Sequence, residues 1–138
     1  LMKGNIKFIT GFIKFHSELT SKRVLTAIAS NCSDYFIQQA NQEVALSAFF
    51  GRHLYGISSV NNIPKPDPAI YLYAASRLGL KANECIAIED SRAGILAAKS
   101  AGMFCYGINT SGDENNLADA DVVIACYDNI HLESFGVR

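Results

Sequence analysis

Ile88-Glu89-Asp90-Ser91-Arg92-Ala93-Gly94 decides the fold, read together with Lys65-Pro66-Asp67-Pro68 upstream. The apolar run 85–88 ends in two adjacent carboxylates, and a small-residue helix pattern starts straight after them. This order predicts a strand that carries two anionic oxygen ligands to its C-terminal tip, next to a helix N-terminus. Open α/β sheets build their sites at such tips. Paired carboxylates there suit Mg²⁺, a hard cation that takes oxygen ligands and shares them with a phosphate. The Lys65 ammonium is a natural partner for both carboxylate and phosphate.

The neighbouring segments extend the same alternation. Residues 6–19 place Phe8, Ile9, Phe12, Ile13, Phe15 and Leu19 at helical spacing, so an amphipathic helix is expected. Residues 24–29 form a short apolar and β-branched run, expected as a buried strand, and Ser30 to Asp34 supply turn and cap chemistry before a helix over 35–44. Residues 48–60 are ambiguous, with Leu54-Tyr55-Gly56-Ile57 suited to a short strand. In the rigid connector 64–68, Asp67 can cap a helix and Pro68 fits its first position. Ile70, Ala74 and Leu78 mark one face of that helix, and Gly79 stops it. Further on, a strand is expected over 85–88, a helix over 91–101 ended by Gly102, and strands over 103–108 and 122–125. A polar loop over 109–119 separates those last two strands, and a short helix is expected over 129–135. Strands alternating with helices indicate an α/β fold, a Rossmann-like open parallel sheet with helices on both faces.

Composition narrows the function classes. A chain of 138 residues, 49% hydrophobic, is long enough for one domain with a real core and too apolar for disorder. Its 12 basic and 13 acidic residues give a net charge of −1, which argues against a nucleic-acid footprint. Its apolar runs are too short for a membrane span, and it shows no signal-peptide pattern. Met2 is read as a start-codon product behind one extra residue, Leu1. Cys32, Cys85, Cys105 and Cys126 have no metal-ligand spacing and are expected to be reduced, mostly buried thiols of a cytoplasmic protein. His16, His53 and His131 are dispersed and are expected to be surface or locally satisfied residues.

In a parallel sheet, Ser30 and Asn31, Lys65, and Glu89 and Asp90 all open on one edge. A hydroxyl and backbone N–H groups at a helix start can hold phosphate oxygens. A lysine can neutralise a transferring phosphoryl group, and carboxylates can hold the metal that polarises it. Taken singly, Ser30 reads as a helix cap, Lys65 as a solvated loop lysine, and Glu89-Asp90 as caps favoured by the helix dipole. Only the order and spacing of the whole set point to phosphate chemistry.

That set resembles the haloacid dehalogenase-like (HAD) hydrolase superfamily, in its β-phosphoglucomutase-like and phosphoglycolate phosphatase-like branch. Ala27-Ile28-Ala29-Ser30-Asn31 is similar to the family's second motif, Pro64-Lys65-Pro66-Asp67-Pro68-Ala69-Ile70-Tyr71 to its third, and Ile88 to Gly94 to its fourth. Ala97-Ala98-Lys99-Ser100-Ala101-Gly102-Met103 and Ala118-Asp119-Ala120-Asp121 also fit, so the resemblance runs over about residues 10–132. It implies that Ser30, Asn31 and Lys65 bind the phosphoryl group, with Ser30 and Lys65 catalytic, and that Asp90 and Glu89 hold Mg²⁺. The implied activity is a Mg²⁺-dependent phosphatase of small phosphorylated metabolites. Phosphatase is favoured over phosphomutase as the commoner chemistry of the family, and the Glu89-Asp90 pair disfavours a dehalogenase.

The family's first motif, D-x-D-x-[TV], does not occur. Its first Asp attacks phosphorus and its second is the general acid/base, yet residues 1–30 contain no Asp. Asp119-Ala120-Asp121 has the bare spacing but precedes its strand. The helical cap domain between the first and second motifs is missing too. Residues 1–138 are therefore expected to be the post-cap portion of a core domain, inactive alone, with the nucleophilic Asp outside this chain. By the family's topology the missing strand is central, so two apolar strand edges would lie open and invite self-association. The alternative is a non-catalytic remnant or partner-binding piece without turnover. A dinucleotide site lacks its glycine fingerprint here.

Overall fold

Short parallel strands alternate with helices in the computed structural model, which describes residues 7–136. Helix α1 (Phe12–Ser21) leads to strand β1 (Ile28–Ala29). Helices α2 (Asp34–Val44) and α3 (Leu46–Phe50) connect β1 to β2 (Leu54–Tyr55). Helix α4 (Ala69–Arg77) connects β2 to β3 (Ile86–Glu89), and α5 (Arg92–Ala101) connects β3 to β4 (Phe104–Ile108). Strand β5 (Val122–Ile124) follows, and then two 3₁₀ turns, Tyr127–Asn129 and Leu132–Phe135. Parallel neighbours need such crossovers.

The ladders fall into two pieces. β1 pairs with β2, and β3 pairs with β4, which pairs with β5, all parallel. The sheet orders are β1-β2 and β3-β4-β5. Glu89 is registered opposite Gly107 at the tip of the second sheet. Every connection after a strand therefore emerges at a C-terminal edge.

Strand periodicity separates two layers of core. Ala87 and Cys105 face the cluster built by Ile70, Ala74 and Ala75 of α4 with Ile95, Ala97 and Ala98 of α5. Alanines at the α4–α5 contact let the helices approach closely. Ile88 faces the other way, towards Tyr106, Ile108, Ile124 and Tyr127. α1 covers part of that second face through Phe15 and Leu19, which pack against Leu132. Helices on both faces are what the sequence pattern predicts.

Local chemistry sets the helix ends that position the site. Ser91 caps α5 by accepting a hydrogen bond from the Gly94 amide (3.1 Å), and Gly102 ends the helix at φ +90°. Asp67 accepts from the Ala69 amide (2.9 Å) at the start of α4.

Several boundaries differ from expectation. The first helix begins at Phe12, not in the segment from residue 6, because Gly11 takes a left-handed conformation (φ +85°) that breaks the run. A Cβ at Gly11 would lie 2.7 Å from Asp128 Oδ1, so the turn is packed as well as twisted. Ile6, Leu1 and Met2 lie outside the described residues. The first strand is Ile28–Ala29, not the whole run from residue 24, since only these two residues find a ladder partner in β2. The C-terminal helix is instead two 3₁₀ turns. The thiols are less buried than expected. Only Cys105 is buried, Cys85 and Cys126 are half-buried, Cys32 is exposed, and all four are free. Among the described residues, no helix is long and apolar enough to cross a membrane.

Candidate active site at the strand tips

The loop after β1 is tied down at both ends. The Ser30 amide donates to Tyr55 O (2.9 Å) and the Ile57 amide to Cys32 O (3.0 Å), while Ser58 Oγ donates to Asp34 Oδ2 (2.6 Å). Gly56 fits beneath this loop, since a Cβ there would lie 2.7 Å from Cys32 O. Ser30 Oγ accepts from the Cys32 amide (3.0 Å). A hydroxyl that accepts through its oxygen still has its proton to donate. Asn31 Oδ1 accepts from the Lys65 backbone amide (2.8 Å), which staples the loop after β1 to the loop before α4.

Lys65 reaches from that staple into the space between β1 and β3. Its Nζ donates to Ala29 O (2.9 Å) and forms an ion pair with Glu89 Oε1. The two side chains are 9% and 8% exposed, so this is a buried pair and not a surface one. The ammonium also lies 4.9 Å from the centroid of the Tyr71 ring, a cation–π contact. Tyr71 Oη donates to the same Glu89 oxygen. Burial, and then the negative charge of Glu89, push the Tyr71 phenol above its ordinary pKa, so it stays a donor. Gly94 completes the pocket. A Cβ there would lie 2.0 Å from Glu89 Oε2, so the carboxylate rests directly on the glycine.

Asp90 has a different environment from Glu89 although they are adjacent. Successive side chains at a strand end point to opposite faces. Glu89 follows Ala87 into the α4–α5 side and is buried, while Asp90 is exposed at the tip. Its Oδ2 accepts from Thr110 Oγ1 (3.4 Å), a residue of the loop after β4. Among the described residues, no three His, Cys, Asp or Glu side chains cluster in the manner of a metal centre. The donor chemistry of Asp90, a hard and accessible carboxylate, fits Mg²⁺. Glu89 is buried with one oxygen engaged by Lys65 and Tyr71, whereas Asp90 is exposed at the tip.

A groove of about 840 Å³ runs between the two sheets and ends at this site. The facing strands Ile28–Ala29 and Ile86–Glu89 both line it, and so do Ser30, Lys65 and Asp90. Neither facing strand pairs across it. Its walls are apolar, with Phe12, Phe15 and Ala74 among them.

The structure thus brings together Ser30, Asn31, Lys65 and Glu89, with Asp90 on the solvent side of the same edge. Three further residues at the site, Tyr71, Gly94 and Thr110, had no role in the sequence reading. Tyr71 and Gly94 lie inside motifs already quoted, but their contact with Glu89 crosses from α4 and α5 to β3, which no local spacing encodes. Two histidines are locally satisfied, His16 buried against Thr26 (3.3 Å) and His53 through Nδ1 to Tyr55 Oη (2.6 Å), and His131 is exposed.

Comparison with known proteins places this geometry in context. The sequence model for haloacid dehalogenase-like hydrolases matches residues 4–102. Validoxylamine A 7'-phosphate phosphatase of Streptomyces hygroscopicus subsp. limoneus is 50% identical over 60 residues, which are 44% of this chain and 28% of that protein. β-Phosphoglucomutase of Bacillus subtilis is 45% identical over 69 residues, 50% of this chain and 29% of that protein. A crystal structure of a HAD family hydrolase from Deinococcus radiodurans, with bound phosphate and sodium, superposes with a TM-score of 0.84 at 26% identity. That match covers 94% of this chain and 59% of the other, so this chain spans less than two thirds of that protein.

Proposed function

Since the chain belongs to the haloacid dehalogenase-like hydrolase family, we propose that it is the phosphate-handling part of a Mg²⁺-dependent phosphatase of a small phosphorylated metabolite. The observation that carries this is the convergence of Ser30, Lys65 and Asp90 on one strand edge, with Asn31 stapling the two loops that bear the first two. Similarity to a β-phosphoglucomutase and to a validoxylamine A 7'-phosphate phosphatase supports a phosphorylated substrate.

Each side chain has a defined task in this proposal. Ser30 donates its hydroxyl proton to a phosphoryl oxygen, and Asn31 holds the loop in register and lines the phosphate pocket. Lys65 neutralises charge as it builds on the transferring group. Asp90 would hold Mg²⁺, with Glu89 behind it, and the cation would polarise the phosphoryl oxygens. The nucleophilic Asp belongs to a strand outside this chain, and residues 1–138 are the post-cap portion of the core domain, inactive alone. The groove between β1 and β3, apolar along its walls and open at the site, supports that placement. A cytoplasmic location belongs to the same proposal, since four free thiols fit a reducing compartment.

A second proposal draws on the same unpaired edges: a piece without turnover that binds a partner strand. One assay separates them. The intact protein, containing a strand that fills the groove, should release inorganic phosphate from phosphorylated sugars when Mg²⁺ is supplied. Asp90→Asn should weaken the Mg²⁺ dependence, and Lys65→Ala should remove most of the turnover. Near-normal rates in both variants would reject the site, and no turnover by the intact wild type would favour the partner-binding piece.

A further inference from the structure

We propose that Tyr71 is a positioning residue for Lys65, acting through Glu89, and that Gly94 reserves the space in which it does so. This rests on the phosphate-binding role given to Lys65 above.

A lysine side chain is a flexible stem with a compact charge, and fixing it costs rotamer entropy. A phosphate-binding lysine gains from being fixed beforehand. The ammonium has three protons. Lys65 directs one to Ala29 O and one to Glu89 Oε1, and these are its hydrogen bonds among the described residues. The third proton has no hydrogen-bond acceptor among the described residues, and Ser30 and Asp90 line the same groove as Lys65.

This arrangement holds only if Glu89 holds still. A carboxylate bound by Lys65 alone could rotate and chelate two of its protons, or draw the ammonium deeper. Tyr71 blocks both movements by donating to the same oxygen that Lys65 uses. Tyr71 is itself rigid. It is buried on α4 in the cluster that contains Ile70, Ala74 and Ala75. Gly94 supplies the floor, because any Cβ would overlap the carboxylate: it would lie 2.0 Å from Oε2, 2.1 Å from Cδ and 2.5 Å from Oε1. Packing of α4 thereby sets the position of a charge at the strand tips, through one hydroxyl and one carboxylate.

The test is a double-mutant cycle on the intact protein, read by calorimetric titration with inorganic phosphate in the presence of Mg²⁺. Tyr71→Phe keeps the ring and its packing and removes only the hydroxyl. It should weaken phosphate binding on the order of tenfold, the loss of one hydrogen bond to a charged group. Lys65→Met should weaken it further. The double variant should bind no more weakly than Lys65→Met alone, because Tyr71 acts only through Lys65. Gly94→Ala, which must displace the same carboxylate, should repeat the pattern. Unchanged phosphate affinity in Tyr71→Phe, or the same loss in the Lys65→Met background, would overturn the positioning role and leave Tyr71 as packing. Unchanged affinity in Lys65→Met would instead overturn the phosphate role of Lys65, and this proposal with it.

Discussion

Removing the Lys65 charge should destabilise the folded state far more than removal of an ordinary loop lysine. Lys65→Met keeps most of the buried stem and deletes only the ammonium. Glu89 is then left with Tyr71 as its donor, and Ala29 O loses its side-chain partner. Both charged side chains are almost fully buried, at 9% and 8% exposure. Breaking such a pair from one side costs about 3–5 kcal/mol, whereas an exposed pair is worth about 0–1 kcal/mol. The surviving Tyr71 hydrogen bond puts the expected loss near the lower end, about 3 kcal/mol. Against a total of about 5–15 kcal/mol, that is a large shift. Urea unfolding of the intact protein, extrapolated linearly, measures it directly. A second substitution sharpens the result: Glu89→Gln in the Lys65→Met background removes the stranded charge and should recover part of the loss. A Lys65→Met variant within about 1 kcal/mol of wild type would refute the buried pair and the geometry built on it.

Other consequences can be measured independently. Asp121 is held below the usual carboxylate range by hydrogen bonds from Lys99 and from the Cys105 amide. A lowered folded-state pKa stabilises above the unfolded value and is lost as pH falls through the folded one, so Asp121→Asn should flatten the acid limb of a stability–pH profile below about pH 4. An acid limb identical to wild type would remove that role. Ile95 is fully buried beneath the α4–α5 contact, and Ile95→Ala should cost about 2–5 kcal/mol in urea unfolding; a loss under about 1 kcal/mol would mean the site collapses. The 138-residue chain on its own should sediment above its 15.0 kDa monomer mass, because the facing edges of β1 and β3 are unpaired among the described residues. A monomeric, cooperative melt of that chain would contradict the open-edge account.

Much of the fold is visible in the sequence because its signals are local. Ser91 marks a helix start, Gly102 a stop, and the run into Glu89-Asp90 a strand tip, each found where the chemistry of its own neighbours puts it; Asp67-Pro68 also leads into a helix, but Pro68 is its N-cap and not its first helical residue. The errors arise where tertiary contact overrides local pattern. The apolar spacing from residue 6 continues helical periodicity through Gly11, but Gly11, packed against Asp128, takes a left-handed turn that interrupts the run. The length of β1 depends on a partner strand of only two residues. At the site, Ser30, Lys65 and the two carboxylates are legible as residue types at spaced loops. The division between Glu89 and Asp90 follows from strand alternation, yet its consequence appears only when Tyr71 and Gly94 close around one of them. Asn31 is a similar case: its side chain is committed to the Lys65 amide, a contact between loops 34 positions apart.

The most direct test of the central claim is a crystal structure of the intact protein grown with Mg²⁺ and orthovanadate. Vanadate is expected in the groove, bonded by the Ser30 hydroxyl and the Lys65 ammonium, with the cation on Asp90 and Lys65 still paired with Glu89. Vanadate bound elsewhere, or a cation site that does not use Asp90, would contradict it.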